Sequence, residues 1–217
     1  MLTKFEKSII GINDMMIALG QKIIAANEVI LEGLVSGDYS RYKDAKSSLN
    51  NVSHLVNSID NKIVTTLALF SPEASDLKNM VAYLKVTNEY VRAASNTKSF
   101  LKNFPIKSDG ELHLEKIMPN VILLQKATLE SLRFAVSMIS EDDKSTMKDL
   151  CVKANVEETK TDDIYSMIEK NLFIEMLNAH ELSKEYFETL SLIRKIEKIG
   201  DRAASIANLL YDGNKID

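Results

Sequence analysis

Apolar residues recur every three or four positions along most of the chain, which is the spacing of one face of an α-helix. In the first long segment these positions are Ile9, Met16, Leu19, Ile23, Ile30 and Leu34. The helix is predicted to end at Ser36-Gly37-Asp38, because glycine readily adopts the left-handed conformation that terminates a helix. Asp38 or Ser40 can then cap the next helix.

The next two helices complete the first half of the chain. The second is predicted to run to about Leu69 and to end at Ser71-Pro72, since the residue before a proline is biased away from helix. The third helix then ends near Phe104-Pro105. Three amphipathic helices joined by short loops can close a bundle around their apolar faces.

The strongest linker signal is residues 105–112, PIKSDGEL, which combine proline, serine, aspartate and glycine. It predicts a boundary between a first three-helix bundle over residues 1–104 and a second over residues 113–217. The predicted fold class is therefore all-α, with six long helices in two tandem antiparallel three-helix bundles.

The second half repeats the arrangement of the first. A fourth helix is expected over about 113–140, where Pro119 must either begin the helix or kink it. A fifth follows over about 142–177. A sixth over about 182–210 is expected to turn Phe187 inward, together with Leu190, Ile193, Ile196, Ala203 and Ile206.

Composition supports long helices and narrows the function. The chain has 217 residues, 45% of them hydrophobic, with 7 Gly and 3 Pro. Cys151 is the single cysteine, which excludes an internal disulfide and indicates a reducing compartment.

With a net charge of −4 and no basic cluster, nucleic acid is not an expected partner. We expect neither a signal peptide nor a membrane span, since charged or polar residues interrupt every apolar run.

Glu197 and Asp201 are the strongest chemical signal. Residues four apart share one helix face, so their carboxylates can aim at one point. Like charges at this spacing destabilise a helix by roughly 0.2–0.5 kcal/mol. Gly200 between them adds up to about 1 kcal/mol relative to alanine. A bound cation would offset that cost, and Glu158 and Asp162 on the preceding helix would complete an oxygen-only set for Mg²⁺, Ca²⁺, Mn²⁺ or iron.

A simpler interpretation stays open on spacing alone. Arg194 and Lys198 stand three residues before Glu197 and Asp201, so the acids can equally belong to a solvated, salt-bridged face. For Gly200, the simpler role is a close helix–helix approach, which is compatible with a metal site.

Catalytic motifs are not evident. The three histidines, His54, His113 and His180, are scattered and form no Glu-x-x-His pattern, which disfavours a ferritin-like di-iron oxidase. The sequence shows no glycine-rich phosphate loop and no activated nucleophile. We therefore expect a protein that is not an enzyme.

Three segments resemble one known family. Residues 193–207, IRKIEKIGDRAASIA, are similar to the PhoU signature built on a Glu-Arg-Ile-Gly-Asp core. Residues 71–90 resemble that family's Pro-x-x-x-Asp-Leu-Arg helix opening, with Lys78 in place of arginine. Residues 157–165, EETKTDDIY, resemble its acidic run, with Glu158 and Asp162 at the acidic positions.

The resemblance implies a cytoplasmic regulator of phosphate uptake that is peripheral at the inner membrane through its contact with a transporter. The implied partners are a membrane phosphate transporter, either ABC-type or a sodium–phosphate carrier, its sensor kinase, and a second copy of the chain in a homodimer. The implied cofactor is a divalent or trivalent metal ion, namely magnesium, manganese, iron or zinc. The implied ligands are Glu158, Asp162, Glu197 and Asp201.

The first half departs from the family pattern. Val91 and Ser95 stand where the resemblance implies a Glu-x-x-x-Asp pair, and Leu49 and Ser53 replace a second acidic pair. We therefore expect metal binding in the second bundle alone. The alternatives to a regulatory protein are a metal-dependent carboxylate enzyme and a purely structural helical adaptor.

Overall fold

Helices alone build the part of the chain that the computed structural model describes, residues 3–105 and 112–214. That part contains seven α-helices and two short 3-10 helices, Met138–Ser140 and His180–Leu182. The α-helices are α1 Lys4–Ser36, α2 Tyr42–Ser48, α3 Val52–Phe70, α4 Ala74–Asn103, α5 Met118–Ser137, α6 Lys144–Asn178 and α7 Ser183–Gly213. The predicted all-α class with six long helices is confirmed, and α2 is a short addition.

Local signals set several helix ends. Thr3 and Glu6 form a capping box at the start of α1, each side chain accepting the other's backbone N–H. Gly37 ends α1 with a φ of 74°, as predicted. Ser71 also takes the left-handed conformation, with a φ of 43°, and ends α3 before Pro72. The caps at Thr3 and Gly37 satisfy backbone groups that a helix end leaves unpaired.

The predicted second helix is divided into α2 and α3, and the predicted fourth helix begins later than expected. A turn over residues 49–51 separates α2 from α3, and it follows Ser48, whose hydroxyl donates to the Ala45 carbonyl at 2.7 Å. Serine and asparagine compete for backbone groups in this way. Pro119 lies in the first turn of α5, so it begins that helix rather than kinking it.

Two sets of three helices pack side by side. Helices α1, α3 and α4 contact one another, with α2 against α1 and α4, while α5, α6 and α7 form the second set. The most extensive contact in the described molecule, between α4 and α7, joins the two sets, and α1 also contacts α5. One continuous apolar core results. The proposed boundary stays a prediction, because residues 106–111 lie outside the described part.

Helix α1 is strongly apolar and has contacts on several sides. It packs against α2, α3, α4 and α5, which accounts for a composition suited to burial. By length and composition alone it is also the one described helix able to cross a membrane, and 39% of its most apolar 18-residue window is buried inside the protein. The expectation that the chain has no membrane span stays a prediction.

The inward face of α7 begins one residue earlier than predicted. Phe187 is 64% exposed, whereas Tyr186 is fully buried. The Tyr186 hydroxyl accepts a hydrogen bond from the backbone N–H of His113 at 3.2 Å, so the buried ring keeps a polar partner. Phe187 points about 100° away around the helix, towards solvent.

Candidate metal centre

Helices α6 and α7 approach closely at Thr161 and Gly200. A Cβ atom placed on Gly200 would lie 2.9 Å from Thr161 Oγ1 and 3.3 Å from Thr161 Cγ2. Both distances are tighter than ordinary contacts, so only glycine permits this separation without a shift. Because Gly200 precedes Asp201 and Thr161 precedes Asp162, the close approach brings acidic residues of two helices together.

Buried hydroxyl groups fix the three helices of the second bundle at this level. Thr128 of α5 donates to the Ile196 carbonyl of α7 at 3.3 Å, and Ser131 of α5 donates to the Ala154 carbonyl of α6 at 2.9 Å. Both hydroxyl residues are fully buried. Sequence analysis missed them, since a serine or threonine on a helix gives no local sign of a partner on another helix.

Three of the four predicted ligands converge directly. Carboxylate oxygens of Glu158, Asp162 and Asp201 all lie within 4.8 Å of one another. Within residues 3–105 and 112–214, this is the one set of three or more acidic, histidine or cysteine side chains so close together. It joins α6 to α7.

The fourth predicted ligand, Glu197, is buried at the edge of this set. Its residue surface is 7% exposed. Oε1 accepts a hydrogen bond from the Lys198 ammonium at 3.0 Å, whereas Oε2 is buried without a hydrogen-bond partner. A buried carboxylate oxygen without a partner is costly. A cation at the cluster would supply the missing partner.

Basic side chains also reach the cluster. The Lys198 ammonium lies 2.6 Å from Asp201 Oδ2, and Arg202 Nη2 lies 3.3 Å from the same oxygen. Arg202 extends its other nitrogen, Nη1, to Glu89 of α4 at 3.1 Å. Of the two salt bridges that the simpler interpretation expects, the one between Lys198 and Asp201 is present. The acids do not form a solvated face, because Glu197 is buried.

Arg194 contacts Tyr165 rather than the acidic cluster. Its guanidinium carbon lies 5.9 Å from the centre of the Tyr165 ring, so it stacks on an aromatic side chain. Lys198 and Arg202 are thus the cations of the cluster. The contact between Arg202 and Glu89 could not be foreseen, since it depends on how α4 and α7 pack.

Crowding of negative charge shows in the pKa directions. Burial, followed by the charges of Asp162, Asp201 and Glu197, raises the pKa of Glu158. Burial also raises the pKa of Glu197, and Asp201 adds to the effect, although the hydrogen bond from Lys198 opposes it. Both shifts express the cost of gathering carboxylates in one place.

Family comparison covers the segment that holds this cluster. Residues 121–210 match the family model described as the PhoU domain. This part of the chain is thus similar to the PhoU domain. The matched segment spans nearly all of α5, α6 and α7, and therefore contains every residue of the candidate metal centre.

Solved PhoU structures share the fold over almost the whole chain. The phosphate transport system regulatory protein PhoU from Streptococcus pneumoniae is 16% identical, with a TM-score of 0.75 and coverage of 95% of both chains. PhoU from Pseudomonas aeruginosa is 19% identical, with a TM-score of 0.68 and coverage of 95% of this chain and 97% of that one. A PhoU-like protein from Shewanella oneidensis is 14% identical, with a TM-score of 0.65 and coverage of 92% and 94%. No curated protein sequence matches significantly.

The first half carries no carboxylate at the positions that the PhoU resemblance assigns to ligands. Leu49 is buried, Val91 is half-buried against the core, and Ser53 and Ser95 are exposed. An apolar side chain offers no ligand to a hard cation. The expectation of a single centre, in the second bundle, stays a prediction.

The donors at the centre suit hard cations. All four predicted ligands are carboxylates, and oxygen-only sets favour Mg²⁺, Ca²⁺ or Mn²⁺, with iron also accommodated. Zinc binds more often through nitrogen and sulfur. The unpartnered Oε2 of Glu197 and the convergence of three other carboxylates both fit a bound cation.

Proposed function

We propose that the chain is a PhoU-type regulator of phosphate uptake that binds a metal ion through Glu158, Asp162, Glu197 and Asp201. The convergence of three carboxylates from α6 and α7, with a buried and unpartnered oxygen of Glu197 at the edge of the set, carries the proposal. The PhoU domain match over the same helices supports it. A bound ion would neutralise the repulsion between the acids and tie α6 to α7.

The proposed partner is a membrane phosphate transporter, ABC-type or a sodium–phosphate carrier, with its sensor kinase as a second partner. The Streptococcus pneumoniae relative is described as a regulatory protein of a phosphate transport system, which favours this class of partner. The corresponding location is the cytoplasmic face of the inner membrane. A homodimer belongs to the same proposal.

A regulatory role suits the centre better than catalysis. The converging ligand set contains acids only, and His54, His113 and His180 are exposed side chains outside it. Cys151 is buried and hydrogen-bonded to Asn208. General acid–base or nucleophilic chemistry would need a second kind of group near the ion.

Metal analysis tests the site. Protein purified without chelator is expected to contain metal, and calorimetric titration of stripped protein with Mg²⁺, Mn²⁺ and Fe²⁺ should show binding. The variant Glu197→Gln/Asp201→Asn should lose tight binding. The matched control Ser53→Ala/Ser95→Ala, in the first half, should retain it. Equal metal uptake by both variants would contradict this choice of ligands, and absence of metal from native protein would favour the structural adaptor.

Phosphate uptake in cells tests the regulatory role. Deleting the gene should change the rate of radiolabelled phosphate uptake under phosphate-rich growth, and the native gene should restore it. Restoration by the control variant but not by Glu197→Gln/Asp201→Asn would connect the metal to regulation. Unchanged uptake in both rich and starved cells would contradict the proposed function.

A further inference from the structure

The Lys198 ammonium occupies a distinctive place in the acidic cluster. Its described hydrogen bonds go to Glu197 Oε1 at 3.0 Å and Asp201 Oδ2 at 2.6 Å. Both acceptors belong to the proposed metal ligands. Lys198 therefore puts a positive charge, fixed to the chain, against oxygens that an ion would use.

The Lys198 ammonium can also move from the acidic cluster into solvent. Its side chain is 37% exposed, and four methylene groups give the ammonium a flexible stem. Arg202 differs, because its side chain is 23% exposed and Glu89 of α4 holds its second nitrogen. Of the two cations at Asp201, Lys198 is the one that can swing into solvent without breaking a contact outside the cluster.

One ammonium only partly compensates the cluster. Lys198 and Arg202 face four carboxylates, and Arg202 shares its charge with Glu89. Glu197 Oε2 also stays unpartnered while Lys198 is bound. A multivalent ion would contact more oxygens at once than a single ammonium can.

We propose that Lys198 is a tethered competitor for the metal site, and that metal binding displaces its ammonium from Glu197 and Asp201. Lys198 thereby sets the metal affinity, because the ion must bind the carboxylates more strongly than the ammonium does. The inference rests on the metal site proposed above. It assigns to Lys198 control over the metal concentration at which the regulator responds.

Titration of stripped protein with Mn²⁺ tests the competition. Lys198→Met removes the charge and keeps a similar length, so it should bind Mn²⁺ at least about tenfold more tightly than native protein, since a partly buried charge pair interacts strongly. Lys198→Arg keeps the charge and should stay within about threefold of native affinity. Arg194→Met removes a charge from the same helix away from the acids, and should change affinity less than about twofold.

A second measurement follows the native protein itself. Acetylation of lysines, read by peptide mass spectrometry, should increase severalfold at Lys198 when saturating Mn²⁺ frees the ammonium. Lys195, on the same helix, should not change and serves as the internal reference. This readout does not depend on the folding of any variant.

The outcomes separate the inference from the proposed function. Mn²⁺ binding by native protein, with no gain in Lys198→Met or no change in Lys198 labelling, would overturn the inference and leave the metal site standing. Binding by Lys198→Met alone would support the competition and contradict metal binding by the native regulator. Binding by neither protein would overturn both.

Discussion

Gln125 of α5 donates its side-chain amide to both the backbone carbonyl and the side-chain oxygen of Asn27 on α1, at 3.0 and 3.2 Å. Asn27 in turn donates to Thr97 Oγ1 of α4 at 3.1 Å. All three residues are fully buried. The two halves are therefore joined by a polar junction inside an apolar core, where its geometry restricts how α1, α4 and α5 can slide past one another.

Replacing only Gln125 of the Asn27–Gln125 pair should lower the free energy of unfolding more than replacing both residues. Gln125→Leu leaves the buried Asn27 oxygen without its donor, which should lower the free energy of unfolding by about 1–3 kcal/mol. The double variant Asn27→Leu/Gln125→Leu removes both groups and should recover most of that loss. Urea denaturation at neutral pH measures native protein, the two single variants and the double variant, and losses that simply add would contradict the coupling.

Gly200 should tolerate alanine only when Thr161 is shortened. Gly200→Ala gains about 1 kcal/mol in helix propensity. The clash of its Cβ with Thr161 should cost about 1–3 kcal/mol, so the single variant is expected to be destabilised. In the Thr161→Ala background both clashing atoms are gone, and the same change should stabilise the protein. Denaturant unfolding of the four proteins checks the sign reversal, and destabilisation in both backgrounds would refute the close approach.

Chelation should lower the melting temperature of the native protein. An ion at about one hundred times its dissociation constant stabilises the folded state by about 2.7 kcal/mol. For a chain of this size that corresponds to about 5–10 °C. Glu197→Gln/Asp201→Asn lacks two ligands and should melt at nearly the same temperature with and without chelator. Scanning calorimetry measures both, and an equal shift in the two proteins would place the ion elsewhere.

The start of α6 should give a measurable pH dependence. Asp143 Oδ2 accepts hydrogen bonds from the backbone N–H and the hydroxyl of Thr146, both at 2.8 Å, and the backbone bond above all lowers the pKa of Asp143. A lowered folded-state pKa means that the stabilisation is complete above the ordinary aspartate pKa of about 4 and is lost as pH falls through the folded value.

Native protein should therefore be more stable than Asp143→Ala near neutral pH, and the difference should shrink as pH falls below about 4. Asp143→Asn keeps a capping oxygen without a titrating charge, so its advantage over alanine should not vary with pH. Urea unfolding across the acid range gives the differences. A native-to-alanine gap that stays constant with pH would contradict the role of the ionised cap.

Local sequence signals predicted the helices well where one residue decides the backbone. Gly37 ended α1 as expected, and Pro119 could only begin or kink a helix. The turn at residues 49–51 was missed because apolar residues keep their helical spacing across it, with Leu49, Val52 and Val56 all buried. Periodicity records which side faces the core, and that side is the same on both sides of the turn.

The sequence predicted those features of the candidate site that lie within a single helix. Spacing placed Glu197 and Asp201 on one face and Glu158 and Asp162 on another. Which face of α6 meets which face of α7 depends on Gly200 and on packing across the whole bundle. The sequence alone therefore did not determine that the carboxylates of the two helices converge. The pairing of Arg202 with Glu89 joins residues 113 positions apart and left no pattern in the sequence.

Helix α4 leaves the ribosome before its principal packing partner, α7, has been synthesised. Ala82 and Met80, buried in the finished protein, belong to a helix that must wait until α5 and α6 have also emerged. Apolar surface left uncovered during translation is prone to wrong association, including exchange of α7 between two unfinished chains. The order of the helices along the chain thus leaves part of α4 without its main packing partner until the last helix has been made.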